Sequence, residues 1–331
     1  MEENIDKSSY LDVEFLDEIK FPHKIGFEKN LKKNNNNSFN ASIHCLTNIV
    51  PSSQYIANLS DFDHPYSELV IKLNGNNQQG IKDCIIKLKN YIMEYNYFPE
   101  SNQDPKLLID FILNDLQKNK YLFPGFLTNF QKKCKTCSIT SDFEELKIIR
   151  FDIPQIIENI NKNKKNKKIT IYDCFDYFFQ TLNDEKKYCT KCKRRNTEIS
   201  INKLPSILII FIDYGKDKNI CYNNSYEFEE SIAFKNFNCL KEDDKNREYF
   251  LSSIIAGKSI DTYFELFYTF ARADEDSNYI IYNGNDVREN LMVTNKLKKE
   301  RIDFTNKKES WPFVLVYIDK KEKNYENKEI I

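Results

Sequence analysis

Cys134-Lys135-Thr136-Cys137 and Cys189-Thr190-Lys191-Cys192, followed by Leu204-Pro205-Ser206-Ile207-Leu208-Ile209-Ile210-Phe211-Ile212, decide how this chain is read. Each CxxC pair has a gap short enough for both sulfurs to reach one ion. Two pairs supply the four thiolates of a closed tetrahedral zinc site. The 51 residues between them exceed the roughly 15–20 of a compact zinc ribbon. The spacing therefore predicts that each knuckle caps a different hairpin, with a helix and strand insertion between. A closed Cys134, Cys137, Cys189, Cys192 set leaves no open coordination position, so the Zn2+ is structural and not hydrolytic. The run Leu204 to Ile212 has the length and β-branched content of a buried strand.

Toward the N-terminus the periodicity is helical. Phe39, Ile43, Leu46 and Val50 recur at helical spacing, which predicts about three turns starting near Asn37 or Ser38 and stopped by Pro51. A loop containing Pro65 leads to a second helix with Ile81, Cys84, Ile85, Leu88 and Ile92 on one face. Asp104-Pro105 opens a third, with proline in the first turn and Leu108, Phe111, Ile112 and Leu116 as its apolar stripe. Past the first knuckle the character changes. Lys147 to Pro154 alternates as a strand. Ile156 to Lys168 is so rich in Asn and Lys that it reads as a mobile loop, and Tyr172, Phe175, Phe178 and Phe179 line a helix over 171–182. Further strands are expected at 226–234, 249–256, 263–273, 278–282 and 313–317. Helices first and an antiparallel sheet after predict an α+β fold.

Composition sets limits on function. Hydrophobic residues make up 40% of the 331 and aromatics 14%, which is enough for a sizeable core and argues against disorder. A net charge of −1 gives no global attraction to nucleic acid or anionic membrane. No apolar run reaches the length of a membrane span. The start, Met1-Glu2-Glu3-Asn4, lacks the features of a signal peptide. A cytoplasmic or nuclear location follows, where cysteines serve as metal ligands or buried thiols. The chain has 7 glycines, with no cluster that could build a phosphate loop. Cys84 and Cys174 sit on apolar helix faces and read as core. Cys221 and Cys239 lie in loop-like sequence. Cys45 is the one thiol to weigh as a nucleophile, but it lies two turns inside its helix, whereas an activated thiol favours a helix N-terminus.

Several segments in order resemble the ubiquitin-specific proteases. Asn37-Ser38-Phe39-Asn40-Ala41-Ser42-Ile43-His44-Cys45-Leu46 is similar to that family's cysteine box, and Gln103-Asp104 with the helix after it to its Gln-Asp box. The knuckles with Ile153-Pro154, the helix from Tyr172 and Leu204-Pro205 resemble its fingers and the strand that follows. Tyr249–Ile255, Tyr268–Arg272, Tyr279–Val287 and Phe313–Tyr317 resemble its histidine box and last strand. The resemblance implies a papain-like cysteine-protease fold over 24–320: a helical thumb over about 24–130, zinc-bearing fingers over 131–205 and an antiparallel-sheet palm over 204–320. An N-terminal extension, 1–23, and a tail, 321–331, flank it.

The family cleaves at the ubiquitin C-terminal carbonyl with a thiolate, an imidazole and an orienting Asp or Asn. Here the resemblance places Asn37 at the nucleophile and Phe267 at the histidine, with Asn283 at the orienting residue. Misalignment does not rescue the triad. No cysteine precedes Cys45, and the only histidines are His23, His44 and His64. Leu107 stands at the family's Glu, and Asn30 is the nearest match to its oxyanion-hole Asn. The chain is therefore expected to be a pseudoenzyme that acts as a scaffold or ubiquitin-binding module within a larger protein assembly. Two alternatives stand beside it. One is an active thiol-dependent deubiquitinase using Cys45 with His44 or His64. The other is a zinc protein contacting nucleic acid through Lys193-Arg194-Arg195 and the lysine-rich loop, a partner that the near-zero net charge disfavours.

Overall fold

The computed structural model describes residues 37–59, 63–74, 78–95, 104–146, 148–163, 169–184, 188–194, 196–215, 226–235, 237, 240, 242–260, 263–272, 279–283, 286–290 and 311–321. His23, Asn30, Cys221 and Cys239 lie outside these residues.

The N-terminal part is helical. Helix α1 (Asn37–Thr47) is followed at once by α2 (Val50–Ala57). Pro51 was expected to stop the first helix. It instead sits in the first turn of the second, where a missing N–H costs nothing. Ser53 Oγ ties the junction by donating to the Thr47 carbonyl at 2.7 Å. Helix α3 (Pro65–Asn74) occupies the region expected as loop, again with proline at its start, and Tyr66, Leu69, Val70 and Leu73 are buried at helical spacing. Helix α4 (Gln78–Glu94) buries Ile81, Cys84, Leu88 and Ile92. Helix α5 (Pro105–Lys118) starts as its sequence predicts, with the Asp104 carboxylate accepting from the Lys106 N–H at 3.0 Å.

Three strands then form a small sheet. β1 (Leu127–Cys134) and β2 (Thr140–Leu146) make a hairpin, and β5 (Thr197–Lys203) pairs with the other edge of β1. Between β2 and β5 lie β3 (Ile149–Asp152), α6 (Ile153–Asn163), β4 (Ile169–Thr170) and α7 (Ile171–Asp184). Helix α6 corrects the expectation of a mobile loop from Ile156. Its Ile153 and Ile156 are buried, and Ile157 and Ile160 pack against the core.

The third part is built on β6 (Ile207–Asp213), buried from Ile207 to Ile212. After β7 (Tyr226–Glu227), β8 (Ser231–Ala233) and the short α8 (Glu242–Lys245) come β9 (Glu248–Ile260), β10 (Tyr263–Arg272), β11 (Tyr279–Asn283), β12 (Asp286–Asn290) and β13 (Trp311–Asp319). The large sheet runs β12-β11-β10-β9-β13-β6-β3, with β8 also on β9. Its pairs are antiparallel except at the edge, where β3 lies parallel to β6. The α+β reading therefore holds, with parallel pairs at β3–β6 and, in a separate two-stranded sheet, at β4–β7 that alternation in sequence does not reveal. Cys84 and Cys174 are buried, as expected of core thiols, and burial pushes the Cys84 thiol up to about 11.

Candidate functional site

Two places carry the chemistry: the tip of the small sheet and the seam between α1 and the large sheet.

At the tip, Cys134 ends β1 and Cys137 lies in the turn to β2. Cys189 and Cys192 precede β5. The second knuckle thus enters from α7 and joins the same hairpin across β1–β5. It does not cap a hairpin of its own among the described residues. Both knuckles repeat one hydrogen-bond pattern. The Cys134 N–H donates to the Ile139 carbonyl and the Ser138 N–H to the Cys134 carbonyl, both at 2.9 Å. The Cys189 N–H donates to Arg194 at 2.9 Å and the Lys193 N–H to Cys189 at 3.0 Å. Ser138 and Lys193 both take φ +57°, the left-handed turn that swings the second cysteine back toward the first.

The four sulfurs lie within 4.8 Å of one another, with Cys134–Cys192 at 3.7 Å and Cys137–Cys189 at 3.6 Å. Zn–S bonds of about 2.3 Å in a tetrahedron place sulfurs about 3.8 Å apart, so the cluster fits zinc. The Cys137 and Thr136 N–H groups lower the Cys134 thiol to about 6, and the Cys192 and Lys191 N–H groups lower Cys189. Cys137, although the Ile139 N–H favours its thiolate, is pushed up to about 11 by burial and by the surrounding cysteines.

At the seam, α1 is buried from Ser38 to Thr47. It packs on β9, β10 and β11 on one side and on α5 on the other. Thr269 Oγ1 donates to the Ala41 carbonyl at 2.7 Å, and Ser42 Oγ to the Pro105 carbonyl at 3.0 Å. These contacts bring together α1, β10 and β11, the elements that carry the three positions the resemblance assigns to the triad. Asn37 is the first residue of α1, where the helix dipole would favour a thiolate. Phe267 and Asn283 lie within two residues of the Thr269–Tyr282 rung on adjacent strands.

Cys45 is fully buried. It accepts from Ser253 Oγ at 3.5 Å, and burial pushes its thiol up to about 12, the opposite of nucleophile activation. His44 stacks on Tyr282 at 4.3 Å between ring centres and is itself buried. His64 lies in a different part of the helical region. Its Nε2 bonds Asp115 Oδ2 at 2.7 Å and its Nδ1 accepts from the Tyr66 N–H at 3.2 Å, capping α3. Tyr91 shares the same carboxylate oxygen at 2.8 Å. His64→Leu would leave Asp115 buried without its imidazole partner. A loss of about 2–3 kcal/mol is expected, read as a lower urea midpoint at unchanged slope.

The comparisons agree with this geometry. The family profile described as ubiquitin carboxyl-terminal hydrolase matches residues 26–317. The chain belongs to the ubiquitin carboxyl-terminal hydrolase family. No curated protein matches it by sequence. Among solved structures, this hydrolase-family chain is similar to the SAGA Ubp8/Sgf11/Sus1/Sgf73 DUB module bound to ubiquitin aldehyde, with a TM-score of 0.58 at 18% identity, covering 89% of this chain and 69% of that one. It is also similar to the yeast SAGA DUB module with a substituted Sgf73, with a TM-score of 0.55 at 16% identity, covering 89% and 68%. At these identities the likeness is one of fold. It places the helical region, the cysteine-bearing sheet and the large sheet in the arrangement of the family's thumb, fingers and palm. Among the described residues no helix is long and apolar enough to cross a membrane.

Sequence reasoning missed the His64–Asp115–Tyr91 cluster and a buried cation, Arg247, behind the fingers–palm junction. Asp244 and Arg247 at i, i+3 spacing were the one local sign of the second.

Proposed function

We propose that this family member is a zinc-stapled pseudoenzyme that acts as a ubiquitin-binding or scaffolding module in the ubiquitin system, in the cytoplasm or nucleus. The observation that carries the reading is the fate of the remaining thiol and imidazoles. No cysteine precedes Cys45 and no histidine follows His64, while Cys45, His44 and His64 are all committed to the core. Asn37, Phe267 and Asn283 occupy the degenerate triad positions. An amide and a phenyl ring form no nucleophile–base pair, and Asn283 has no imidazole to orient. The working domain spans 24–320 in this reading, with zinc held by Cys134, Cys137, Cys189 and Cys192. Ubiquitin or a ubiquitin-like protein, and a larger assembly around it, are the partners. Solved neighbours seen in complex with ubiquitin aldehyde and further subunits support that choice.

Ubiquitin carrying a thiol-reactive electrophile at its C-terminus tests the absence of catalysis. The expected result is no adduct, because loss of either triad member removes several powers of ten in rate. A stoichiometric adduct on any single cysteine overturns the proposal. Titration with labelled ubiquitin then separates binding from scaffolding. Saturation well below about 1 mM, a weak affinity of about −4 kcal/mol, marks a ubiquitin-binding module.

A further inference from the structure

The fingertip carries a second surface, separate from the degenerate groove. Lys133, Lys135, Lys191, Lys193 and Arg194 are all exposed around the four cysteines. Only Lys135 has a carboxylate partner among the described residues, Glu198 at 3.3 Å. A zinc tetrathiolate carries a formal charge of about −2, which these cations more than offset. The whole chain is near neutral, so the positive charge is a local feature of the tip. Beside it Tyr188 is 64% exposed, the most exposed large hydrophobic residue described. Its backbone is nevertheless held, since Lys132 Nζ donates to the Tyr188 carbonyl at 2.9 Å. Lys193 also occupies the left-handed turn position of its knuckle, where glycine would sit without a steric cost. A long cation is kept there instead.

We propose that this fingertip is a docking surface for single-stranded nucleic acid. Lys133, Lys191, Lys193 and Arg194, the four without a carboxylate partner among the described residues, would contact the phosphates, with Lys135 held by Glu198, and the Tyr188 ring would stack on a base. An exposed aromatic ring beside fixed cations matches the way single strands are held without sequence preference, by charge along the backbone and stacking on the bases. An acidic peptide would use the cations and leave the ring idle. The surface does not depend on whether the groove is active or binds ubiquitin.

The test is fluorescence anisotropy of labelled 12-nucleotide polyuridine RNA and polythymidine DNA with the zinc-loaded full chain. Both strands are expected to bind in 50 mM salt. Four phosphate contacts would give a log–log salt slope near −3 and roughly a fiftyfold loss between 50 and 200 mM. The quadruple variant Lys133→Gln, Lys191→Gln, Lys193→Gly, Arg194→Gln should lose at least tenfold in affinity and flatten that slope. Tyr188→Ala should lose about tenfold while Tyr188→Phe holds, the signature of stacking. Zinc content and circular dichroism verify the fold of each variant. The single change Lys193→Gly, which relieves the backbone, is the fallback and should weaken binding measurably at unchanged zinc content. Absence of binding at 50 mM salt, unchanged affinity in these variants, or preference for duplex over single strands overturns the proposal. Displacement by polyglutamate at equal charge concentration overturns it in favour of an acidic protein partner.

Discussion

Stripping zinc with a chelator, or replacing Cys189 with Ser, is expected to unfold the fingers while the thumb and palm stay folded. The β2-β1-β5 sheet is small, and the strand β2 is largely exposed along its length. Its inner side has a few apolar anchors, Phe130 stacked on Phe143 with Ile199 and Ile201 beside them. Structural zinc in such a knuckle site contributes roughly 10–16 kcal/mol at neutral pH. That is comparable to the whole stability of an ordinary domain, and three short strands cannot supply it otherwise. Hydrogen exchange reads the outcome by region. Amides of β1, β2 and β5 should lose protection on chelation, and those of β6, β9 and β13 should keep it. Unchanged protection in β1 and β5 after zinc removal would show that packing holds the fingers and that the cysteines are bystanders.

The same site has a pH signature whose sign follows from the thiols. Zinc takes four thiolates, but Cys137 is pushed up to about 11 and is protonated at pH 7. Zinc uptake must therefore release protons, and its calorimetric enthalpy should vary with the ionisation heat of the buffer. Cys134 is displaced the other way, from 9.0 to about 6. A depressed thiol favours the folded knuckle fully above pH 9, and that contribution is lost as pH falls through about 6. Zinc retention should weaken in the same direction, because protons and metal compete for the same sulfurs. A buffer-independent enthalpy at pH 7 would mean that the metal-free cluster is already fully ionised.

What could be read without coordinates depended on whether the signal was local. The knuckles were legible because a two-residue gap lets both sulfurs of a pair reach one ion, and the β6 run because length and branching separate strand from helix. Helix α1 was legible as a helix but not as a central one. Ser38, Asn40, Ser42 and Thr47 are polar, yet all are buried. The Ser42 hydroxyl donates to the carbonyls of Ser38 and Pro105 and the Thr47 hydroxyl to that of Ile43, whereas Ser38 Oγ and Asn40 Nδ2 are buried with no hydrogen-bond partner among the described residues. Helix α6 was hidden by composition, since its three asparagines and one lysine run straight into the Lys/Asn-rich stretch that follows and mask the spacing of its four isoleucines. The parallel β3–β6 rung was invisible, because alternation reports a face and not a direction. That no cysteine precedes Cys45 and no histidine follows His64, on which the proposed loss of activity rests, is plain from the sequence. The reasons Cys45, His44 and His64 cannot substitute lie in contacts with Ser253, Tyr282 and Asp115, each remote in sequence.

Another contact between segments distant in sequence yields the second large effect. Arg247 is buried between Asp244 and Asp319, both almost fully inaccessible. Its Nε donates to Asp319 Oδ2 at 2.5 Å and its Nη1 to Asp244 Oδ1 at 3.2 Å, with Nη1 also on the Leu204 carbonyl. Asp244 in turn accepts from the Leu204 N–H at 3.0 Å, Asp319 donates its N–H to the Ser206 carbonyl at 2.8 Å, and Tyr249 donates to the Pro205 carbonyl at 2.8 Å. One guanidinium thus fixes Leu204-Pro205-Ser206, the link through which β5 of the fingers becomes β6 of the palm. Arg247→Met would leave two carboxylates buried without their cation, at a cost of about 3–5 kcal/mol. The melting temperature should fall by roughly 5–10 °C. Arg247→Lys should recover little, because a single ammonium cannot reproduce a fork that serves both carboxylates and a carbonyl. The loss should not be confined to stability. With the link released, the fingers can reorient against the palm, so a ligand gripped between them should bind more weakly even where the variant is fully folded. Wild-type stability in Arg247→Lys would show instead that charge alone, and not the planar fork, sets the angle at which the fingers meet the sheet.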